Sequence, residues 1–545
     1  MSKFGKIALI GIILVASFLR LYRLDSVPPG VNRDEAAIGF TAHSLATTGR
    51  DEYGKILPLS FESFGDWKMP LYIYADIPFI HLFGESELAV RLPSALAGIL
   101  GVAGLYVLAL SLFGSEPLAL LAAAVLALMP WHIHISRVES ESNAAVFMTI
   151  VGSILFLSAI RKRSLRKLVF SSLLFASTYY TYHGNHIFTT LLLMGLFGIY
   201  GKDAAKISRW WIAVAIGTVV TAIILSATLL GADRTKISGI SIFGDPTTVH
   251  NNIELPRLLY PNPNAPPVRL IYNRVTYGIS TVYQNYLRSY GPEFLFIKGG
   301  GNSAHNIQGF GNLHPIEAPL LLLGITWLIV NRKKKSAQLI LWWIAIGAVA
   351  AAITKDAPHS NRMFAVVPGF AVAVASGILW LLTETPKRWR AGLAIILIGS
   401  YLASMAMYLN QYYVHFAKTE AASWGYGYKK LTPVLFSPEN IHKQVIMTHP
   451  ETSPYIYILF YSGYSPRSYQ TEARRYSTSS DGFTDVSGFG RFSFRAIDWT
   501  KDPSRKHTLL VTKPDEVPRA LSPKIIATIL LPDNTEQFVV VDTDK

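Results

Sequence analysis

The chain has 545 residues, half of them apolar and 16% charged, with a mean hydropathy of +0.31. That balance excludes a large soluble enzyme and points to a polytopic membrane protein. A formal net charge of +15 on a soluble domain would indicate nucleic acid. Here the basic residues sit in short clusters between apolar runs, so they set orientation in a bilayer and no nucleic-acid partner is expected. With no cysteine, the chain has neither a disulfide nor a cysteine-based metal site.

A spanning helix needs about 20 mostly apolar residues. Such stretches lie near 6–22, 90–112, 117–135, 144–160, 168–182, 186–201, 210–230, 315–331, 337–354, 363–382 and 391–409, which predicts eleven spans. The first lacks an A-x-A cleavage site and is read as an uncleaved helix. With the N-terminus inside, the inner connections carry Lys3 and Lys6, the cluster 161–167, Lys202, Lys206 and Arg209, then 332–335 and 387–390. All strongly basic clusters then share one side, as the positive-inside rule requires. An odd count puts the C-terminal segment outside. The expected location is a multi-pass protein of the cytoplasmic (plasma) membrane.

Four features then face outward: a polar first loop at 23–89, a short connection at 136–143, a large loop at 231–314, and a region beyond residue 410. The first loop carries a helix signal. Asn32 can cap, Glu35 follows three residues on, Ile38, Ala42 and Leu45 repeat at helical spacing, and Gly49 can stop it. The apolar, aromatic stretch from Leu71 is too short to span comfortably and contains Pro78, which suits an interfacial or re-entrant helix. The 231–314 loop is rich in Asn, Pro, Gly and Tyr and too long for a plain connector, so it is expected to cover a cavity or help bind a substrate. Beyond 410, short β-prone runs at 445–448, 455–460, 508–512 and 538–541 predict a small α/β domain. The expected fold is therefore a polytopic α-helical membrane domain over 1–410 followed by a soluble extracytoplasmic α/β domain over 411–545.

The sequence around Asn32-Arg33-Asp34-Glu35 is the strongest candidate for chemistry. Acids favour a helix's first turn and Glu35 completes a capping box, which is a sufficient packing explanation for Glu35. Asp34 has no such explanation, and a carboxylate at a membrane exit can take a proton from an acceptor. Arg137 and Glu141 share a face if their segment is helical, where a simple ion pair is the plain alternative. Glu139 competes with Glu141 for the acid's role. Lys68, in Gly65-Asp-Trp-Lys-Met-Pro70, either snorkels to headgroups or meets a lipid phosphate. His359 and Arg362 occupy another outer membrane edge and can complete a phosphate clamp. His132, His134, His183 and His186 match no strong zinc spacing, and packing explains them better. No Gly-rich phosphate loop joins a strand to a helix, so a nucleotide site is unsupported. No cofactor is called for, and no residue pattern supports a divalent metal.

In order along the chain, Arg33-Asp34-Glu35, Asp66-Trp-Lys68-Met-Pro70, Pro130-Trp-His-Ile-His-Ile-Ser-Arg137 with Glu141, and His359-Ser-Asn-Arg362 resemble one family. They are similar to the polytopic GT-C glycosyltransferases of the protein O-mannosyltransferase and aminoarabinose-transferase type (family 39 and relatives), over roughly 1–410. The resemblance implies transfer of a sugar from a polyprenyl-phosphate donor on the outer membrane face. It maps the first-loop acid onto Asp34, with Glu35 its neighbour, and the second-loop acid onto Glu141. It maps a Lys-Pro-Pro-type motif onto Lys68, although Met69 replaces the first proline. Lys68, Arg33, Arg137, His359 and Arg362 are then the donor-phosphate candidates. The acceptor would be a glycan, a lipid or a protein. The competing class is a transporter or flippase for a lipid-linked or polar substrate. Against it, the polar residues gather at outer membrane edges rather than mid-membrane, and no inverted repeat is evident.

Overall fold

The structure, a computed structural model, describes residues 2–230, 239, 241–244, 246–478, 484–518 and 523–544. The opening of the expected 231–314 loop, at 231–238, 240 and 245, lies outside the described residues. Up to residue 230 the helices are α1 (Lys3–Leu21), α2 (Arg33–Thr48), α3 (Pro70–Phe83), α4 (Glu87–Phe113), α5 (Glu116–Leu128), α6 (Pro130–Ser136), α7 (Glu141–Lys162), α8 (Leu165–Tyr179), α9 (Gly184–Ala204) and α10 (Trp210–Leu230). The chain divides into two compact units. One comprises Met1–Arg20, Leu96–Ser136 and Ser140–Tyr408, the other Leu21–Ala95, Arg137–Glu139 and Leu409–Lys545.

Among the described residues seven helices are long and apolar enough to cross a membrane: α1, α4, α7, α9, Lys335–Ala352, Ser360–Glu384 and Lys387–Thr419. The pair α5 and α6, bent by 60°, makes an eighth if it counts as one span. The protein is thus a multi-pass membrane protein, but the expectation of eleven spans is corrected to seven or eight. Three expected spans are not among them. The stretch 168–182 forms the 15-residue α8, about 22 Å long against a hydrocarbon core of about 30 Å. The stretch 315–331 forms only the 14-residue helix Glu317–Val330, and the described part of α10 gives an apolar segment over Trp210–Ser226. Hydropathy counts residues, whereas a span needs an unbroken helix of sufficient rise.

Within the first unit, the helix Glu317–Val330 packs on Val367–Glu384 through two glycines. A Cβ at Gly324 would collide with the Ala373 carbonyl, and one at Gly377 with the Leu320 carbonyl. Small residues let these backbones approach closely, the usual device where lipid removes the hydrophobic drive between helices.

The second unit folds the first loop and the C-terminal segment together. Its sheet has the order β4-β5-β6-β3-β7-β9-β8, where β3 is Gln444–Met447, β4 Arg474–Arg475, β5 Val486–Phe489, β6 Phe492–Phe494, β7 Thr508–Thr512, β8 Ile525–Leu530 and β9 Glu536–Asp542. Strand β3 runs parallel to both β6 and β7, and the other pairs are antiparallel. The expected strand at 455–460 is instead the helix Pro454–Ser462, buried from Pro454 to Phe460. Pro454 at its first position and Gly463 in the left-handed region are helix punctuation, and they override the β-propensity of the run between them. Helix α2 lies against this helix and against Pro466–Glu472. Gln470 donates to the Ser44 and Thr48 hydroxyls and to the Asp51 carbonyl, at 3.0, 3.2 and 2.9 Å. Val31 N–H donates to the Tyr461 hydroxyl at 3.0 Å, and Lys429 pairs with Glu87 at 2.6 Å.

Candidate active site

Helix α2 begins as its capping signal requires. The Asn32 side-chain oxygen accepts from the Asp34 and Glu35 N–H groups, each at 2.9 Å, and Asn32 N–H donates back to Glu35 Oε2 at 3.3 Å. This fixes Asp34 in the first turn. A two-stranded hairpin, β1 (Phe61–Ser63) and β2 (Asp66–Lys68), turns through Phe64 and Gly65 and delivers Lys68 to the same point. Lys68 Nζ lies 2.9 Å from Asp34 Oδ1 and 3.8 Å from Asp66. The pair is asymmetric: the Lys68 side chain is 5% exposed, whereas that of Asp34 is 49% exposed. Phe64 supports both cations of the cluster, with Lys68 Nζ 4.5 Å and the Arg33 guanidinium 4.4 Å from its ring centre.

Glu35 points the other way, into a fully buried pair. Arg91 donates to Glu35 through Nε at 3.0 Å and Nη2 at 2.9 Å, a bidentate fork. The same guanidinium also donates to the carbonyls of Leu24, Pro28 and Gly30. Glu139 N–H donates to Glu35 Oε1 at 3.0 Å. One buried carboxylate thus ties the entry of α2, the start of α4 and residue 139 together. Arg137 donates to the carbonyls of Val27 at 2.9 Å and Arg23 at 3.3 Å and to the Tyr412 hydroxyl at 3.2 Å. Helix α6 ends at Ser136 and α7 starts at Glu141, so the helical face expected to join Arg137 to Glu141 does not form.

The remaining candidates lie in the helical unit. Ser140 caps α7, placing Glu141 at its first position. Asp356, which sequence reasoning passed over, pairs with Arg362 and lies 3.7 Å from His359 Nε2. Arg362 also donates to the Thr354 hydroxyl at 2.8 Å. Burial pushes the Asp356 carboxyl up, but the Arg362 guanidinium outweighs it and leaves the group below its usual range. Burial holds the His359 imidazole well below its usual value, with the charges of His305 and Arg362 acting in the same sense. Tyr182 connects this group to α7. Burial raises its phenol, Arg362 opposes that, and Glu141 and Asp356 add to it. His359, Arg362, Asp356 and Glu141 therefore form one electrostatic neighbourhood.

The other histidines pack. His186 stacks on Tyr179 and meets its carbonyl oxygen at 2.9 Å, the His183 and His186 rings lie 5.6 Å apart, and His132 meets Arg20 and stacks on Phe364. Among the described residues no group of three or more His, Asp or Glu side chains is arranged to hold a metal ion.

Residues 68–230 match the family model described as dolichyl-phosphate-mannose-protein mannosyltransferase, less than half of the chain. The comparison with curated proteins found no match. Among solved structures, the chain is similar to ArnT from Cupriavidus metallidurans bound to undecaprenyl phosphate, with a TM-score of 0.55, 12% identity, and coverage of 100% of this chain and 98% of that one. It is also similar to the archaeal oligosaccharyltransferase AglB from Archaeoglobus fulgidus, in complex with an inhibitory peptide and a dolichol-phosphate. There the TM-score is 0.51 at 12% identity, over 84% of this chain and 64% of that one. The fold is of the GT-C type. This chain spans about 64% of the length of the archaeal protein and nearly all of ArnT.

Proposed function

We propose that the protein is a membrane glycosyltransferase that moves a sugar from a polyprenyl-phosphate donor to an acceptor on the outer face of the membrane, with Asp34 as general base. The observation that carries this reading is the Asp34–Lys68 pair, a half-exposed carboxylate held 2.9 Å from a buried ammonium. The GT-C fold supports it, as does likeness to one protein bound to undecaprenyl phosphate and another bound to dolichol-phosphate. The partial family match supports a family 39-like type.

A sugar on a lipid phosphate already carries a good leaving group. In the proposed step Asp34 takes the proton of an acceptor hydroxyl or amine as that atom bonds to the anomeric carbon. The bond from that carbon to the phosphate oxygen breaks, and polyprenyl phosphate leaves with the electron pair. One in-line displacement inverts the anomeric centre. Lys68 meets the developing phosphate charge, and in doing so releases the Asp34 carboxylate. Arg33, on the same phenyl ring, adds a second cation. Glu35 and Arg137 act in this reading as positioning residues, since one holds the entry of α2 and the other holds the carbonyls of residues 23 and 27. In the helical unit, His359 and Arg362 are proposed as phosphate-binding groups and Glu141 as a second acid. Residues 1–410 are proposed as the transferase domain and 411–545 as extracytoplasmic, with the N-terminus inside. The acceptor is a glycan, a lipid or a protein.

Asp34→Asn should lower transfer of radiolabelled sugar from polyprenyl-phosphate donors about 10²- to 10⁴-fold while leaving the protein folded. Normal transfer by this variant would remove Asp34 from the mechanism. Uptake by proteoliposomes without any transfer would make the chain a transporter.

A further inference from the structure

The helical unit contains a cavity of about 640 Å³ that has no part in the chemistry proposed above. It opens where several helices end: α4 at Phe113, α7 at Ile160 and Arg161, α9 at Asp203, and Ser360–Glu384 at Thr383. Lys334, at the end of the turn after Glu317–Val330, and Lys335, which opens the next helix, complete it. These are the ends that carry the basic connections, so the cavity lies on the side opposite the one expected to hold the donor.

Its lining is divided by polarity. Leu118 and Leu157 are buried, while Arg161, Lys334 and Lys335 are exposed at the rim. Trp327 and Phe113 pack with their rings 6.0 Å apart, and Lys334 Nζ lies 6.0 Å from the Trp327 ring centre. Three cations face one lining carboxylate, Asp203, so the lining carries a net charge of two positive (three less one). Asp203 is already shared between Lys335 and, at 2.9 Å, Lys206. Arg161 donates to the Ser111 carbonyl, and neither Arg161 nor Lys334 has a carboxylate partner among the described residues. The volume lies within the usual range of about 300–1,000 Å³ for small-molecule sites. An apolar chamber with an undercompensated cationic rim at the membrane edge suits one ligand chemistry, an anionic phosphate headgroup with a hydrocarbon chain behind it.

We infer that this cavity binds the phosphate headgroup of an anionic lipid on the basic side of the membrane, with its chain against Leu118 and Leu157. The inference stands whether or not the chain is a glycosyltransferase.

The test is native mass spectrometry of the purified full chain after delipidation, with phosphatidylglycerol, phosphatidylcholine, undecaprenyl phosphate or inorganic phosphate added. Phosphatidylglycerol should be retained in preference to phosphatidylcholine, and Lys334→Gln and Arg161→Gln should each weaken retention about fivefold. Preferential retention of undecaprenyl phosphate would also support the site and identify an isoprenoid as its lipid. Lys333→Gln, an exposed neighbour outside the lining, should leave retention unchanged. Leu379→Trp, which fills the chamber and keeps every charge, should abolish it. Equal retention of phosphatidylcholine, equal loss in Lys333→Gln, full retention in Leu379→Trp, or displacement by inorganic phosphate at lipid concentrations would each overturn the inference.

Discussion

Buried acids in the second unit make its stability depend on pH. Glu52 is fully enclosed, and burial pushes its carboxyl up to about 8 against the pull of Arg475. Its ordinary value is 4.5, so the unfolded chain loses this proton near 4.5 while the folded one keeps it to about 8. Between those values the folded state binds more protons, and stability must fall as pH rises. The contribution is complete below about pH 4.5 and spent above about pH 8. Glu85, pushed by burial up to about 7 beside His43, titrates in the same window, so wild-type slope alone does not identify Glu52. The difference does. Thermal unfolding of the purified protein from pH 5 to 8 should show a steeper loss for wild type than for Glu52→Gln. Identical slopes would show that Glu52 is not the group responsible.

The close helix pair in the first unit has a similarly direct consequence. A side chain at Gly324 meets the Ala373 carbonyl, which cannot rotate away, so Gly324→Val forces Glu317–Val330 and Val367–Glu384 apart. Overpacking of this kind costs typically 1–3 kcal/mol. Gly392→Val, on a helix face with nothing within 4 Å, is the control. In detergent, Gly324→Val should unfold at lower temperature and Gly392→Val should not; equal behaviour would remove the close approach as a stabilising contact. The elements legible in the sequence are those whose signals are local. Asn32, Glu35 and Gly49 bound α2 through contacts three or four residues apart, and the helix forms between them. The 455–460 run reads as a strand and folds as a helix because a short apolar segment has no period to distinguish the two. An arginine inside an apolar run is a signal in itself, but the role of Arg91 is not legible locally, because its partner Glu35 lies 56 residues away. Asp356 stands three residues before the His359-Ser-Asn-Arg362 motif, and only the turn at 354–359 brings it to Arg362. The pairing of Asp34 with Lys68 depends on a hairpin that no pattern in 61–68 announces.

For the whole molecule, the question that the revised span count reopens is sidedness. An argument from parity fails once eleven becomes seven or eight, because those two numbers put the C-terminus on opposite sides. The charge argument does not depend on parity. The ends near Arg161, Asp203, Lys334 and Thr383 line one cavity, so the basic connections beside them share a side however many short helices cross fully. On the positive-inside rule we propose that this side is cytoplasmic. A chain without cysteine offers a clean test. Lys333 is exposed in the basic turn, and Asn534 is exposed in the turn between β8 and β9. In intact cells a membrane-impermeant maleimide should label Asn534→Cys and spare Lys333→Cys, and permeabilisation should expose both. The reverse pattern would put the basic face outside. That result would contradict the proposed outer location of the Asp34 chemistry and would move the lipid cavity, which stays on the basic side, to the outer leaflet.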